Sequence, residues 1–181
     1  VKGELAQLAH TFDSMAESLQ QRERERAQTE KLLLSRAQQQ TVVAALGQFA
    51  IVSQDFNDLL TQALQFASQI LETPFVQVLE LQPDRKSLWQ RAGLGWQTGR
   101  VGFDIVEARG RSQAAFVLAR GEPVVISDMR EEHRFIAPHM LLDHNILSGI
   151  CVAIATRHQP YGLLGVYSTK PRHYTEDEVQ F

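Results

Sequence analysis

Three histidines fall within a span of twelve residues in the second half of the chain, at His133, His139 and His144. Imidazole is the commonest transition-metal ligand in proteins, so this group is the first candidate for chemistry. The intervals are six and five residues, whereas a helix brings side chains four apart onto one ion. We therefore interpret the three histidines as loop or pocket-edge residues and predict no metal site.

The single cysteine, Cys151, lies in the apolar stretch "GICVAIA". A catalytic thiol must be exposed beside a base, whereas a free cysteine in an apolar strand behaves as a small hydrophobic residue. We predict that Cys151 is a core residue. Because one cysteine can form neither an internal disulfide nor a CxxC pair, a reducing compartment is indicated.

Other signals of catalysis are weak. The glycines of "GLGWQTGRVG" do not have the GxGxxG spacing of a phosphate cradle, so we interpret them as turn residues. We find no paired carboxylates, Ser/His/Asp order or metal-ligand spacing that would support a reaction. The sequence therefore predicts that this chain has no catalytic residues and no fixed cofactor.

The composition is that of a globular protein. The 181 residues are 44% hydrophobic and 22% charged, with a net charge of -3. Basic residues are outnumbered by acidic ones, 18 to 21, and are spread along the chain, which excludes the basic face of a nucleic-acid-binding protein. No apolar run approaches the roughly 18 residues of a membrane span.

A long helix is predicted from Gly3 to about Val43, because this stretch has no proline and is rich in good helix formers. Apolar residues recur at alternating intervals of three and four, the spacing of a coiled-coil seam: Leu5, Leu8, Phe12, Met15 and Leu19. The seam predicts pairing with a second copy of the chain. It then reaches Arg22, Arg26 and Thr29, so its register breaks in a charge run that is either a solvated surface or a switch.

From about Leu46 the pattern predicts an α+β domain with an antiparallel sheet flanked by helices. Asp55 is the expected N-cap of an amphipathic helix, and "FVQVLELQPD" with "SLWQRAGLGW" reads as a hairpin. "VVIS", "ILSGICVAIA" and "PYGLLGVYSTK" are further predicted strands, and "PHMLLDHN" is a short predicted helix. Helix signals also lie between Ser112 and Gly121 and at a capping box of Thr175 and Glu178.

Two stretches resemble known families. "ARGEPVVISDMREEHRF", "ILSGICVAI" and above all "PYGLLGVYSTKPRHYTEDEVQF" resemble the GAF domains of bacterial sensory proteins, and "GELAQLAHTFDSMAESL" resembles the second helix of a HAMP linker. The resemblance implies a HAMP helix over 1-20, a helical connector over 21-45 and a GAF domain over 46-181 whose last helix is truncated.

That order of parts implies a fragment of a longer, membrane-bound sensor. Membrane helices would lie upstream, this segment would be the cytoplasmic portion of an inner-membrane protein, and an output domain would follow. The implied function is signal relay: the helices of a homodimer rearrange and pass the signal to a downstream output domain, a histidine kinase of a two-component system. The alternative is a small-molecule-sensing domain of a diguanylate cyclase or phosphodiesterase.

The GAF resemblance also implies a pocket between the sheet and residues 112 to 145. Its expected walls are Phe103, Phe116, Phe135, His139 and Leu142, with Asp128 and Arg130 at the mouth. Two alternatives stay open, namely an unidentified small-molecule ligand in this pocket or a filled core that serves dimerisation and relay. A covalent bilin is not expected, because the positions that carry the family's Cys-His pair fall near Ala137 and Pro138.

Overall fold

The computed structural model describes residues 2–52, 55–97, 105–156 and 159–181. The chain divides into two compact units, Val1–Val43 and Ala44–Phe181.

Helix α1, Lys2–Val52, confirms the predicted long helix and extends it by nine residues past Val43. Along it the described side chains are exposed or half-buried. The exposed large apolar residues include two of the predicted seam and three beyond the charge run: Met15, Leu19, Leu33, Leu34 and Val43. The side chains of Leu5, Leu8 and Phe12 lie outside the described residues, and the pairing of this seam with a second chain stays a prediction.

The second unit is built on one six-stranded sheet. Its strands are β1 Phe75–Leu81, β2 Ser87–Leu94, β3 Ile105–Glu107, β4 Val124–Ile126, β5 Ser148–Ala155 and β6 Pro160–Ser168. They lie in the order β3-β2-β1-β6-β5-β4, and every neighbouring pair is antiparallel. Strand β3 was not predicted, because its three residues, unlike the equally short β4, are not a continuous apolar run.

Three helices of this unit begin at the residues that the predicted capping signals indicate, and one of them also ends at its predicted glycine. The helical elements of the unit are α2 Phe56–Ile70, α3 Gln113–Arg120, the 3-10 turn Met129–Glu131, α4 His139–Asp143 and α5 Glu176–Gln180. Asp55 caps α2 and Ser112 caps α3, which stops at Gly121 with a left-handed φ of 66°. Thr175 and Glu178 form the predicted capping box of α5. Local side-chain bonds thus fix where α2, α3 and α5 start, whereas α4 begins after Pro138 without a side-chain cap.

A hydrophobic layer covers each face of the sheet. On one face α2 buries Leu60, Leu64 and Ala67 against residues that include Val76 and Val166. On the other face lie α3, the 3-10 turn and α4, with a core that includes Leu88, Val117, Met129, Leu141 and Tyr167. The α+β class and the antiparallel sheet flanked by helices are confirmed.

Candidate functional site

A cavity of about 730 Å³ opens beside β3, at one edge of the sheet. Its lining comes from three separate segments: strand β3, the loop that enters α3, and the start of α4 with the residues before it. The lining residues are 105–107, 109–113, 136–140 and 143. The volume is within the range of roughly 300–1,000 Å³ that is typical of small-molecule sites.

Backbone hydrogen bonds hold two of these segments together. The Ile136 N–H donates to the Arg111 carbonyl at 2.7 Å, and the Gln113 N–H donates to the Ile136 carbonyl at 3.2 Å. Ser112 and Ile136 form a parallel β-bridge between these two bonds. The wall at the start of α3 is therefore fixed to the segment that leads into α4.

Charged groups of both signs border the cavity. Arg109 pairs with Glu107 at 3.1 Å, and both side chains are well exposed. Arg111 donates from Nη2 to the His133 carbonyl at 3.2 Å. Asp143 lies at the α4 side of the cavity. The lining thus offers two guanidinium groups and two carboxylates around an apolar floor that includes Val106 and Met140.

Gln113 connects the cavity to a buried polar network. The residue lines the cavity and is 3% exposed, and its side-chain amide faces the buried hydroxyl of Tyr167. Deeper in the same face, Gln90 Nε2 donates to Gln77 Oε1 at 3.0 Å, while Gln90 Oε1 has no partner among the described residues. Unpaired buried polar atoms are rare in native proteins and call for an explanation.

Tyr167 and Cys151 lie at the centre of that network. Burial raises the pKa of Tyr167 well above its ordinary value. The Gln77 and Gln113 side chains, which face its hydroxyl, lower the pKa but by less. Burial also raises the pKa of the Cys151 thiol to about 12. Cys151 is 1% exposed, as predicted for a core residue, and a thiol held in its neutral form is a poor nucleophile.

The sequence-predicted pocket residues are not brought together at the cavity. His139 is the one predicted pocket residue among the described residues that lines the cavity. Phe103 lies outside the described residues. Leu142 is on α4 but is 51% exposed and is not part of the described lining. The α4 residues that line the cavity are His139, Met140 and Asp143, whereas Leu142 faces solvent.

The other four predicted residues form two local clusters. Asp128 accepts a bidentate bond from Arg130, and the nearby carboxylate of Glu132 is bound to Arg134 in the same way. The Phe116 and Phe135 rings pack with centroids 5.5 Å apart, and the Arg134 guanidinium lies 5.7 Å from each centroid. Arg134 also donates to the Val125 carbonyl, so this cluster closes the outer edge of β4.

The three histidines are in different surroundings. His144 accepts at Nε2 from the Gln97 N–H and contacts the rings of Phe75 and Trp96. His139 lines the cavity and His133 is exposed. In the part of the chain that the structure describes, no three His, Cys, Asp or Glu side chains are grouped as a metal site.

Sequence reasoning missed every described lining residue except His139, including the polar residues Arg109, Arg111 and Gln113. A signal for them was present in "ARGRSQ", where two arginines and a glutamine surround the predicted N-cap Ser112. Positive charge and donors directly at the start of a helix are typical of anion-binding sites. The buried glutamines gave no such signal, since Gln77 between Val76 and Val78 fits an alternating strand with a solvent-exposed face.

Comparison with known proteins agrees with this architecture. The family model of the GAF domain matches residues 55–181. No curated protein was found to be a relative of the chain by sequence.

Several solved structures have the same fold at low identity. The GAF domain of an Acinetobacter phosphoenolpyruvate-protein phosphotransferase matches with a TM-score of 0.65 and 18% identity, over 77% of this chain and 82% of its own. A methyl-accepting chemotaxis protein matches with a TM-score of 0.63 and 14% identity, over 77% of this chain and 88% of its own. A far-red cyanobacteriochrome photoreceptor matches with a TM-score of 0.55 and 18% identity, over 80% and 89%.

These similarities show the fold, and the family model covers more than half of the chain. The chain therefore belongs to the GAF family and contains a regulatory, ligand-binding domain of that family, residues 55–181.

Proposed function

We propose that this domain senses a small molecule that binds in the cavity beside β3. The cavity itself is the observation that carries the proposal: its floor includes buried apolar residues such as Val106 and Met140, and polar side chains converge on it from the start of α3. Apolar walls with a few placed polar groups are the usual composition of a small-molecule site.

Binding there has a route to a conformational effect. The lining belongs to three segments that are far apart in sequence, so a ligand that touches all three favours the arrangement in which they lie close together. A ligand shifts an equilibrium by its difference in affinity for the two states. Occupancy of the cavity therefore biases the position of β3 relative to α3 and α4.

We further propose that the signal passes through paired α1 helices to an output domain. The exposed apolar residues of α1 support pairing, because a long helix gains most of its stability from burying such a face. The proposed parent protein is a membrane-anchored sensor with an upstream HAMP linker and a histidine kinase output. A diguanylate cyclase or phosphodiesterase output is the alternative. Within the described residues, no helix is both long and apolar enough to span a bilayer.

A cavity-filling variant tests the sensing role. Ile136 is 64% exposed at the rim of the cavity, and Leu142 is 51% exposed on α4 outside the lining. In a thermal-shift screen of a metabolite library, Ile136→Trp is expected to abolish the shift produced by a hit, while Leu142→Trp preserves it. Hits that stabilise both variants equally would refute binding in this cavity.

Analytical ultracentrifugation tests the relay. Residues 1–181 are expected to dimerise more strongly than residues 46–181, because the latter lack most of α1. Leu19→Asn should weaken the dimer by about tenfold or more, and the neighbouring exposed Ser18→Asn should not. Equal dimerisation of all four proteins would contradict a role for α1.

The identity of the output is tested by the parent sequence beyond Phe181. A helix with a phosphoacceptor histidine would establish a kinase, and a GGDEF-like motif would establish a cyclase. Neither outcome bears on the cavity, so the two parts of the proposal fail independently.

A further inference from the structure

Helix α1 keeps one seam frame across its charge run. In the heptad notation abcdefg, Leu19 is at an a position, and Leu33, two heptads later, is at an a position again. Val43 follows ten residues further on, at a d position, and all three side chains are exposed. The register predicted to break at Arg22 is therefore kept, and only the type of residue on the seam changes.

The seam positions inside the charge run are polar. Arg22 and Thr29 take its d positions and Arg26 its a position, and every residue from 18 to 30 is exposed. The Thr29 hydroxyl donates to the Glu25 carbonyl at 2.8 Å, whereas neither arginine is in an ion pair within the described part of its own chain. Two guanidinium groups on the seam are therefore available to a partner helix.

Glutamates flank the two seam arginines. Glu23 is at the e position next to Arg22, and Glu25 is at the g position next to Arg26. The Glu25 carboxylate accepts one bond of 2.8 Å from Gln21 of its own helix and can accept more. In a parallel pair of helices, a d side chain packs beside the e position of the partner and an a side chain beside its g position. A second copy of the chain therefore complements the charges of the first.

Parallel pairing in register also matches the apolar seam residues. It places Leu19 against the partner's Leu19 and Leu33 against the partner's Leu33. A slip of one heptad would instead place Leu19 opposite the partner's Arg26, and an antiparallel pair centred on the charge run would place Leu33 opposite the partner's Arg22. Burying a guanidinium against leucine is unfavourable, because no carboxylate faces it there. The charge run therefore opposes these other alignments.

We propose that the charge run of α1 fixes two copies of the chain as a parallel coiled coil in register. Arg22 of each copy pairs with Glu23 of the other copy. Arg26 pairs with Glu25 in the same way. Polar seam positions weaken a coiled coil but specify its register, and charges at e and g set its orientation. The inference rests on the proposed pairing of α1 and specifies its geometry.

Disulfide crosslinking of the full chain tests the alignment. Leu19→Cys and Leu33→Cys each add a seam thiol, and both are expected to give mostly covalent dimers under mild oxidation, because each thiol faces its own copy. Leu34→Cys is the matched control, since Leu34 is as exposed as Leu33 but lies outside the seam, and it should stay mostly monomeric on a non-reducing gel. The natural Cys151 is buried and does not compete.

Charge reversal tests the ion pairs. Arg26→Glu places two carboxylates together and is expected to raise the dimer dissociation constant about tenfold in analytical ultracentrifugation. Adding Glu25→Arg reverses both signs and should bring the constant back to within about threefold of the unmodified chain. Arg24→Glu makes the same change of charge at the outer f position and should alter the constant by less than about twofold.

Equal crosslinking of Leu33→Cys and Leu34→Cys would overturn the alignment, and so would a crosslink at only one of the two seam positions. A double variant that dimerises no better than Arg26→Glu would overturn the ion pairs. In both cases a dimer that persists leaves the proposed relay intact. A chain that sediments as a monomer at every concentration would refute the relay as well, and none of these results bears on ligand binding in the cavity.

Discussion

The backbone N–H of Gln97 donates a hydrogen bond of 3.3 Å to Nε2 of His144, which lies 47 residues further along the chain. The other ring nitrogen, Nδ1, is 2.9 Å from the carbonyl of Met140. An amide only donates and a carbonyl only accepts, so this arrangement places a proton on Nδ1 and leaves Nε2 as the acceptor. His144, the C-cap of α4, thereby connects the helix beside the cavity to the residues that follow β2.

This connection predicts the effect of His144→Phe. Phenylalanine keeps the ring contacts with Trp96 and Phe75 but removes both hydrogen bonds, and we expect the free energy of unfolding to fall by about 1–2 kcal/mol. Amide hydrogen exchange at Gln97 should also become faster. The control is His173→Phe, because His173 is exposed and a surface change of this kind is worth less than about 0.5 kcal/mol. Unchanged stability and exchange in His144→Phe would contradict the assignment.

Gly162 lies at a point where the sheet leaves no room for a side chain. A Cβ at this position in β6 would lie 1.8 Å from the carbonyl oxygen of Leu79 in the adjacent strand β1. We expect Gly162→Ala to lower the free energy of unfolding by about 3 kcal/mol or more, since backbone atoms cannot move aside easily. Gly47→Ala is the matched change: a Cβ there meets nothing within 4 Å, and alanine should stabilise α1 by about 0.5–1 kcal/mol. Denaturant unfolding measures both, and equal effects of the two changes would refute the steric explanation.

The helices and most strands could be predicted because their signals are local. The side chain of Ser112 bonds the N–H of Ala115, and Thr175 does the same for Glu178, three residues away in each case. Strand β3 could not be predicted. Its three residues are held by pairing with β2, as in Leu88 with Val106, and a sequence window around β3 does not contain that partner.

The site was harder to predict than the fold, because it depends on contacts between distant segments. The aromatic residues Phe116 and Phe135 had the composition of a pocket wall, but they pack on each other and on Arg134. The cavity instead depends on the pairing of Arg111 and Gln113 with Ile136, which lies more than twenty residues away. These are backbone hydrogen bonds, which residues of almost any type could make. Side-chain types along the chain therefore carry little information about that pairing.

Asp128 gives a prediction for pH dependence. Its carboxylate accepts bonds from the Arg130 guanidinium at 2.9 Å (Nε) and 2.5 Å (Nη2) and from the Arg130 N–H at 3.0 Å. The guanidinium is the main reason that the pKa of Asp128 is lowered from 3.8 to about 2, and the backbone bond adds to it. The carboxylate is thus stabilised in the folded chain relative to the unfolded one. Its contribution to stability is complete above the unfolded pKa of about 3.9 and is lost as the pH falls through about 2.

Carboxyl-carbon NMR titration of Asp128 measures this effect directly. We expect a midpoint near 2 in the unmodified chain and a rise toward 3.8 in Arg130→Gln, which removes the charge but keeps the backbone N–H bond. Because that bond remains, the midpoint should stop short of 3.8. Arg120→Gln removes another exposed arginine of the same unit and should leave the midpoint unchanged. An Asp128 midpoint at 3.8 in the unmodified chain would mean that the bidentate pair does not persist in solution, and the 3-10 turn that it caps would then depend on the Met129 N–H bond to the Leu147 carbonyl.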